Sequence, residues 1–252
     1  MFTHAIVRTP GPDAGDGLTT SALGKPDHPT LLRQHAAYVQ TLSDLGLAIT
    51  HLEPLPGQPD AYFVEDAALM FPELAIVTRP GAPARLAEAE ALAPTVATFR
   101  TLTRLVDPAT LDGGDVLLVG KKVFVGLSDR TNRAGADQLS SILAAHGYTV
   151  VPVIVPSGLH LKSSVTWAGA DVLVISKPLA TRPEFAGYRH LVVPDEETCA
   201  ANVLWVNGTL LLPRGFPCTE AMCSRLGLPL KLLDQSEVQK MDGALTCLSL
   251  RF

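Results

Sequence analysis

Met241 to Phe252, MDGALTCLSLRF, is the stretch on which the fold turns. Asp242-Gly243 is a turn pair, and Ala244 to Phe252 reads as a short apolar strand with Cys247 inside it. A cysteine there reads in two ways. One is a small buried hydrophobe, the common state of a free thiol. The other is a nucleophile set just after a glycine turn, which needs a histidine and a carboxylate from elsewhere in the chain.

Working outward, the strand has partners of a repeating kind. Each unit reads as a hairpin, a helix and a further strand. Phe63 to Phe71 turns through Pro72-Glu73 into Leu74 to Thr78, then a helix over Pro83 to Leu92 and an extended Val96 to Thr103. Val116 to Val119 returns as Val123 to Leu127, followed by a helix capped by Asn132 and the strand Thr149 to Val155. Ser164 to Trp167 returns as Val172 to Ser176, and Leu191 to Val193 follows. Val203 to Val206 returns through Asn207-Gly208, a strong hairpin signal, as Thr209 to Leu212. A helix over Thr219 to Leu226 and the strand Leu230 to Leu233 complete that unit. Hairpins therefore recur about every 40–50 residues, a period that signals radial or solenoid arrays.

Four units are complete and the fifth is split. Its first strand is the C-terminal one and its second is Ala5 to Arg8, followed by a helix over Thr30 to Leu45 and the strand Leu47 to Leu52. Pairing the two ends closes a ring and removes exposed sheet edges. The expected fold is α/β: a five-bladed propeller of ββαβ units, one domain over residues 1–252. An ordinary open α/β sheet is the alternative.

A ring of this kind puts every segment just before a first strand, or just after a second, on one rim. Asp60 to Asp66, Asp112 to Asp115, Leu159 to Ser163, Cys199 to Asn202 and Asp242 to Cys247 form the first set. Arg8 to Leu18, Arg79 to Arg85 and Arg130 form the second. Carboxylates, His160, arginines and Cys247 thus converge on one mouth. Taken singly, His160 is an ordinary structural histidine and Arg85 and Arg130 are surface charges; joint placement changes that reading. The adjacent acids Glu65 and Asp66 entering an apolar strand fit a polar mouth, because unpaired buried charge is costly.

Composition narrows the function classes. The 252 residues are 47% hydrophobic and 18% charged, with a net charge of -5, which gives no basic footprint for nucleic acid. No apolar run approaches the ~18 residues of a membrane span. The opening MFTHAIVRTP lacks the features of a signal peptide. The four cysteines form no CxxC pair and no zinc-type spacing, so reduced thiols in a cytoplasmic protein are expected, with no metal and no cofactor.

The segments FVEDAA, TRPGAPAR, LDGGDV, GLSDRTN, LHLKS, AAN and DGALTCLSL resemble those of the dimethylarginine dimethylaminohydrolase family, of the guanidine-modifying pentein superfamily. The resemblance runs from AIVRTP to LSLRF. It implies a five-bladed propeller and hydrolysis of Nω-methylated arginines to citrulline through a covalent cysteine intermediate. It further implies Cys247 as nucleophile, His160 as general acid and base, and Asp112 as the carboxylate that holds the imidazole. Asp66, with Glu65 and Asp60 beside it, is the expected guanidinium site. Arg85 and Arg130 are expected to grip the α-carboxylate, and Leu18 and Met241 to supply main-chain and lid contacts. Deiminases of this superfamily have an aspartate two residues after the histidine; here that position is Lys162, which leaves room for N-methyl groups. The implied partner is a small methylarginine, with a homodimer as the state common among bacterial relatives. A deiminase-type hydrolase of another substituted guanidine and a non-catalytic binding protein on the same fold are the alternatives.

Overall fold

The computed structural model describes residues 1–156 and 158–252. The chain begins with β1 (His4–Arg8), crosses over through helix α1 (His28–Asp44) and lays down β2 (Ala48–Leu52) parallel to β1. Asp27 caps α1 by accepting from the Thr30 N–H at 3.0 Å. The helix buries Leu31, His35, Tyr38 and Leu42, the helical spacing visible in the sequence. The second unit holds β3 (Ala68–Met70), β4 (Ala75–Val77), α2 (Leu86–Ala97) and β5 (Leu102–Arg104). The third holds β6 (Val116–Val119), β7 (Lys122–Leu127), α3 (Arg133–Ala144) and β8 (Thr149–Ile154). The fourth holds β9 (Val165–Trp167), β10 (Val172–Ile175), the single turn α4 (Lys177–Ala180) and β11 (Arg189–Val192). The last holds β12 (Leu204–Val206), β13 (Thr209–Pro213), α5 (Pro217–Ser224) and β14 (Leu230–Leu233), followed by the single turn α6 (Ser236–Gln239) and β15 (Leu250–Arg251).

Among the described residues there are five sheets of three strands. In each, an antiparallel pair is extended by a parallel strand that arrives through the crossover. The split unit is built as expected: β15 pairs antiparallel with β1 at Ala5↔Arg251 and Ile6↔Leu250, and β2 lies parallel on the other side. The α/β propeller closes by joining its two ends.

Each first strand is preceded by a short 3-10 turn: Val64–Asp66, Gly113–Asp115, Leu161–Ser163, Asp195–Ala201 and Leu245–Leu248. These turns replace the longer strands expected over Phe63 to Phe71 and Ala244 to Phe252. Cys247 therefore sits on a turn and not within a strand. Short apolar runs such as ALTCL fit either state, and only packing separates them; here Leu245, Thr246 and Leu248 face the core. Helix α2 begins later and runs further than Pro83 to Leu92. Pro94 lies inside it without ending it, because Ala93 and Val96 are buried in one cluster with Ala68, Ala75 and Val77. Successive core clusters sit between neighbouring blades; Ile76 of the second unit, for example, shares one with Leu111 and Val125 of the third.

Candidate active site

Four of the five turns carry the chemistry. The Gly113–Asp115 turn follows Asp112, whose side chain is fully buried. Asp112 Oδ2 lies 3.0 Å from His160 Nε2, and Oδ1 accepts from the Gly81 N–H at 2.8 Å. Its own N–H donates to Thr131 Oγ1 at 3.1 Å. One carboxylate oxygen is thus held by the backbone, which leaves the other for the imidazole. Gly114 is needed for close approach: a Cβ there would come 2.6 Å from His160 Nδ1. Asp115, fully buried, accepts from the Leu161 N–H at 2.8 Å and from Ser128 Oγ at 2.6 Å, so it anchors the turn after His160.

Asp66 accepts from the Gly114 N–H at 2.8 Å and pairs with Arg85 Nη1 at 2.7 Å. Burial alone would raise its pKa, but the His160 and Arg85 charges and the Gly114 N–H hold the carboxyl below its ordinary range. For His160, burial acts against the charged ring. Asp66, Asp112 and Asp115 outweigh it and raise the pKa to about 9. The imidazole is therefore protonated at neutral pH. For Cys247, burial first, then Glu65 and Asp66, push the thiol up to about 12, with Lys162 and the hydrogen bond to Ala244 opposing. The resting pair is thiol and imidazolium.

These groups meet in one small pocket of about 20 Å³. Its walls include Leu18, Asp60, Asp66, Arg85, Arg130, His160, Met241 and Cys247. Asp60 accepts from the Leu18 N–H at 2.9 Å, and burial raises its pKa. Gly17 allows this approach, since a Cβ there would collide with Asp60 Oδ1. Arg130 lines the wall 3.9 Å from Asp112, and its Nη1 is buried with no hydrogen-bond partner among the described residues. Arg85 is less free: Nε and Nη2 hold Glu88 at 2.8–3.1 Å while Nη1 holds Asp66.

Two expected site residues lie outside the pocket wall. Asp112 stands behind His160, as its holding role requires. Glu65 turns the other way. Its Oε1 pairs with Lys162 Nζ at 2.6 Å and Arg251 Nη2 at 3.1 Å, and it lines a separate cavity of about 260 Å³. Neighbouring residues of an extended or tightly turned chain point apart, so Glu65 and Asp66 cannot share one mouth. Phe63, Leu159, Asp242 and Gly243 complete the pocket and went unmarked as site residues. For the last two the turn pair was the signal, and Asp242 reaches the loop after β1: its Oδ2 accepts from Thr20 N at 2.5 Å and from the hydroxyls of Thr19 and Thr20 at 3.1 and 3.0 Å. Cys199, on the same rim, is exposed and not packed in the core; Cys218 is exposed and Cys223 buried.

Asp66, Asp112 and His160 bring ligand-type atoms within 4.8 Å of one another. Each carboxylate oxygen of the two acids already meets a partner, among Arg85, Gly114, Gly81 and the imidazole, which makes the cluster a hydrogen-bond network.

The arginine deiminase family model matches residues 91–185. The chain is 40% identical to N(G),N(G)-dimethylarginine dimethylaminohydrolase of Pseudomonas aeruginosa, over 100% of both chains. It is 39% identical to the protein of that name from Streptomyces coelicolor, over 98% of this chain and 96% of the relative. A cysteine-to-serine variant of the Pseudomonas aeruginosa protein, solved in complex with citrulline, matches with a TM-score of 0.98, 40% identity and full coverage of both chains. The N-terminal domain of the arginine dihydrolase ArgZ shares the fold alone, at a TM-score of 0.86, 17% identity and coverage of 98% of this chain and 97% of that one. A closed five-bladed propeller with a thiol, an imidazolium and paired acids at its mouth defines a guanidine-modifying enzyme of the pentein superfamily. Within it, the chain belongs to the dimethylarginine dimethylaminohydrolase family.

Proposed function

We propose that this protein hydrolyses Nω-methylated arginines to citrulline and methylamines, with Cys247 as nucleophile. One observation supports this above the rest: Cys247, His160 and Asp66 line the same pocket, while Lys162, at the position of the deiminases' second aspartate, is turned out of it onto Glu65. A single carboxylate cluster at Asp66 and Asp60 then holds one side of the guanidinium by charge-assisted hydrogen bonds. The other side keeps space for N-methyl groups.

The proton inventory follows from the resting pair. A bound guanidinium lowers the thiol pKa, since nearby positive charge favours thiolate; the thiol proton leaves to solvent. The thiolate attacks the guanidinium carbon. His160 gives its proton to the departing amine, and the C–N bond breaks to leave an S-alkylthiouronium. The now neutral imidazole takes a proton from water, whose oxygen bonds to the same carbon. The C–S bond breaks, the remaining hydroxyl proton passes to the sulfur, and citrulline departs with thiol and imidazolium restored. Asp112 keeps the ring aimed throughout.

Arg130, with its buried free Nη1, is the better placed grip for the α-carboxylate; Arg85, held by Asp66 and Glu88, adds charge from the wall. The Leu18 and Met241 backbones close over the ligand. The four free thiols suit a reducing, cytoplasmic setting. No helix of the described residues is long and apolar enough to cross a membrane. The deciding measurement is citrulline release from asymmetric dimethylarginine, monomethylarginine, arginine and agmatine side by side, with Cys247→Ser as control. Preference for the methylated pair, lost in the variant, is expected. Turnover retained by Cys247→Ser would refute covalent catalysis, and preference for arginine would favour a deiminase.

A further inference from the structure

Three segments at the mouth each send neighbouring residues to opposite sides. Asp66, His160 and Cys247 face the catalytic pocket. Glu65, Lys162 and Thr246 face the cavity on the far side. The layer between is ionic and tightly built. Lys162 Nζ and Arg251 Nη2 share one oxygen of Glu65, at 2.6 and 3.1 Å, and both Glu65 and Lys162 are more than nine-tenths buried. The Lys162 carbonyl accepts from Asn202 Nδ2 at 2.9 Å, and Asn202 holds Thr246 through its N–H at 3.1 Å and its hydroxyl at 3.0 Å. Lys162 is thereby tied, charge and backbone, to the turn that carries the thiol. Arg251 has less to give Glu65, because its Nη1 is committed to the carbonyls of Thr246 and Ser249 and to Ser249 Oγ.

We propose that Lys162 is a positioning residue for Cys247: by pairing with Glu65 in the layer behind the pocket, it leaves the cysteine's ionisation to be set by the substrate cation and not by a standing anion. This rests on Cys247 being the nucleophile. The groups facing the thiol from the packed elements are Glu65, Asp66 and Tyr62 before β3, His160 and Lys162 before β9, and Arg251 through Glu65. Glu65 and Asp66 oppose the thiolate, and Lys162 favours it. Asp66 is already answered by Arg85 and His160. Glu65 lies on the other side of the layer from those two cations, so Lys162 is its nearest compensation. A specificity reading of Lys162 explains only why an aspartate is absent from the pocket. It does not explain why an ammonium is buried behind it, against the penalty of desolvation.

The test is the rate of iodoacetamide alkylation of the substrate-free protein across pH 7–9, followed at Cys247 by peptide mass spectrometry because Cys199 and Cys218 also react. Lys162 favours the thiolate and Glu65 opposes it, and nearby charge shifts a pKa, so Lys162→Met should slow alkylation by roughly three- to tenfold. Glu65→Gln should speed it by a similar factor, and the double variant should return toward the wild-type rate. Lys162→Arg, which keeps the charge on Glu65, should stay near wild type. A merely structural role would not produce opposite signs from the two partners. Equal rates for Lys162→Met and Lys162→Arg, or slowing by Glu65→Gln, would overturn the proposal. If Lys162→Met fails to fold, the Glu65→Gln and Lys162→Arg arms decide it alone. Alkylation involves no turnover, so this outcome is independent of whether methylarginine is the substrate.

Discussion

At the scale of single residues, the imidazolium is the group whose charge is most specifically built. Its pKa of about 9 places it above its ordinary value, so the charged form is favoured by folding. That contribution is complete below about pH 6.5 and is lost as pH rises through about 9. Catalysis uses the same proton, since the amine leaves only if His160 can give it one. Asp112→Asn removes one of the anions that raise the ring. The alkaline limb of kcat should therefore move to lower pH, and turnover should fall by part of the roughly 10²–10⁴-fold that acid–base catalysis supplies. A kcat profile from pH 6 to 10 checks both; an unmoved limb would detach Asp112 from the ring's ionisation. Arg85 shows where residue-level reading met its limit. As a surface charge or a free carboxylate grip it would be cheap to remove. Buried between Asp66 and Glu88, it is not. Arg85→Ala should cost about 3–5 kcal/mol of folding stability, because two acids lose a buried partner. Denaturant unfolding measures this directly, separately from any rise in KM.

At the scale of elements, the mouth is made by 3-10 turns at equivalent places in the repeat, and the sequence showed their positions better than their shape. The repeat was legible because each hairpin carries its own turn signal, such as Asn207-Gly208, with the two residues at φ of 48° and 91°. Two of the turns, Val64–Asp66 and Leu245–Leu248, read as strand in the sequence because three or four apolar residues carry too little periodicity to choose. Strand or turn, Glu65 and Asp66 point to opposite sides; the Glu65–Lys162–Arg251 layer stayed illegible because its members are distant in sequence. Thr9 to Pro29, rich in glycine and proline, reads in the sequence only as a loop. In the structure it is latched, Thr19 and Thr20 to Asp242, over a pocket with room for little more than a water. An arginine derivative can enter only if the latch opens. Asp242→Ala removes three hydrogen bonds worth about 0.5–1.5 kcal/mol each, so the closed state should lose population. The expected result is a KM raised about tenfold with faster proteolytic nicking between Gly17 and Gly24. Unchanged KM and unchanged nicking would show that the latch is ornamental to binding.

At the scale of the whole molecule, closure by the two ends has an energetic consequence that an open sheet would not share. We propose that residues 1–252 form one cooperative domain, because each blade buries its apolar face against its neighbours and none has a core to itself. Leu250 illustrates the coupling. It is 5% exposed, pairs with Ile6, and packs in the cluster that holds Ala68, Val77 and Val96 of the next unit. Phe252 stacks on His4 and meets Phe99 edge-on. Arg251 runs inward to Glu65. Leu250→Ala should cost about 2–5 kcal/mol, the usual range for a buried leucine, and should do so in a single transition seen alike by tryptophan fluorescence and far-ultraviolet circular dichroism. The two probes report different parts of the molecule: Trp167 and Trp205 sit in two other blades and line the same cavity as Leu250, while the dichroism averages over all five. Removing Leu250 to Phe252 altogether should be worse than the sum of its side chains. It exposes the edge of β1 to other chains, strips Glu65 of one of its two cations and loosens the turn that carries Cys247. The truncated protein should aggregate on heating and lose citrulline release together. If fluorescence and dichroism instead separate in Leu250→Ala, with Trp167 and Trp205 melting apart from the rest, the blades are independent units and the ring is not what holds the site together.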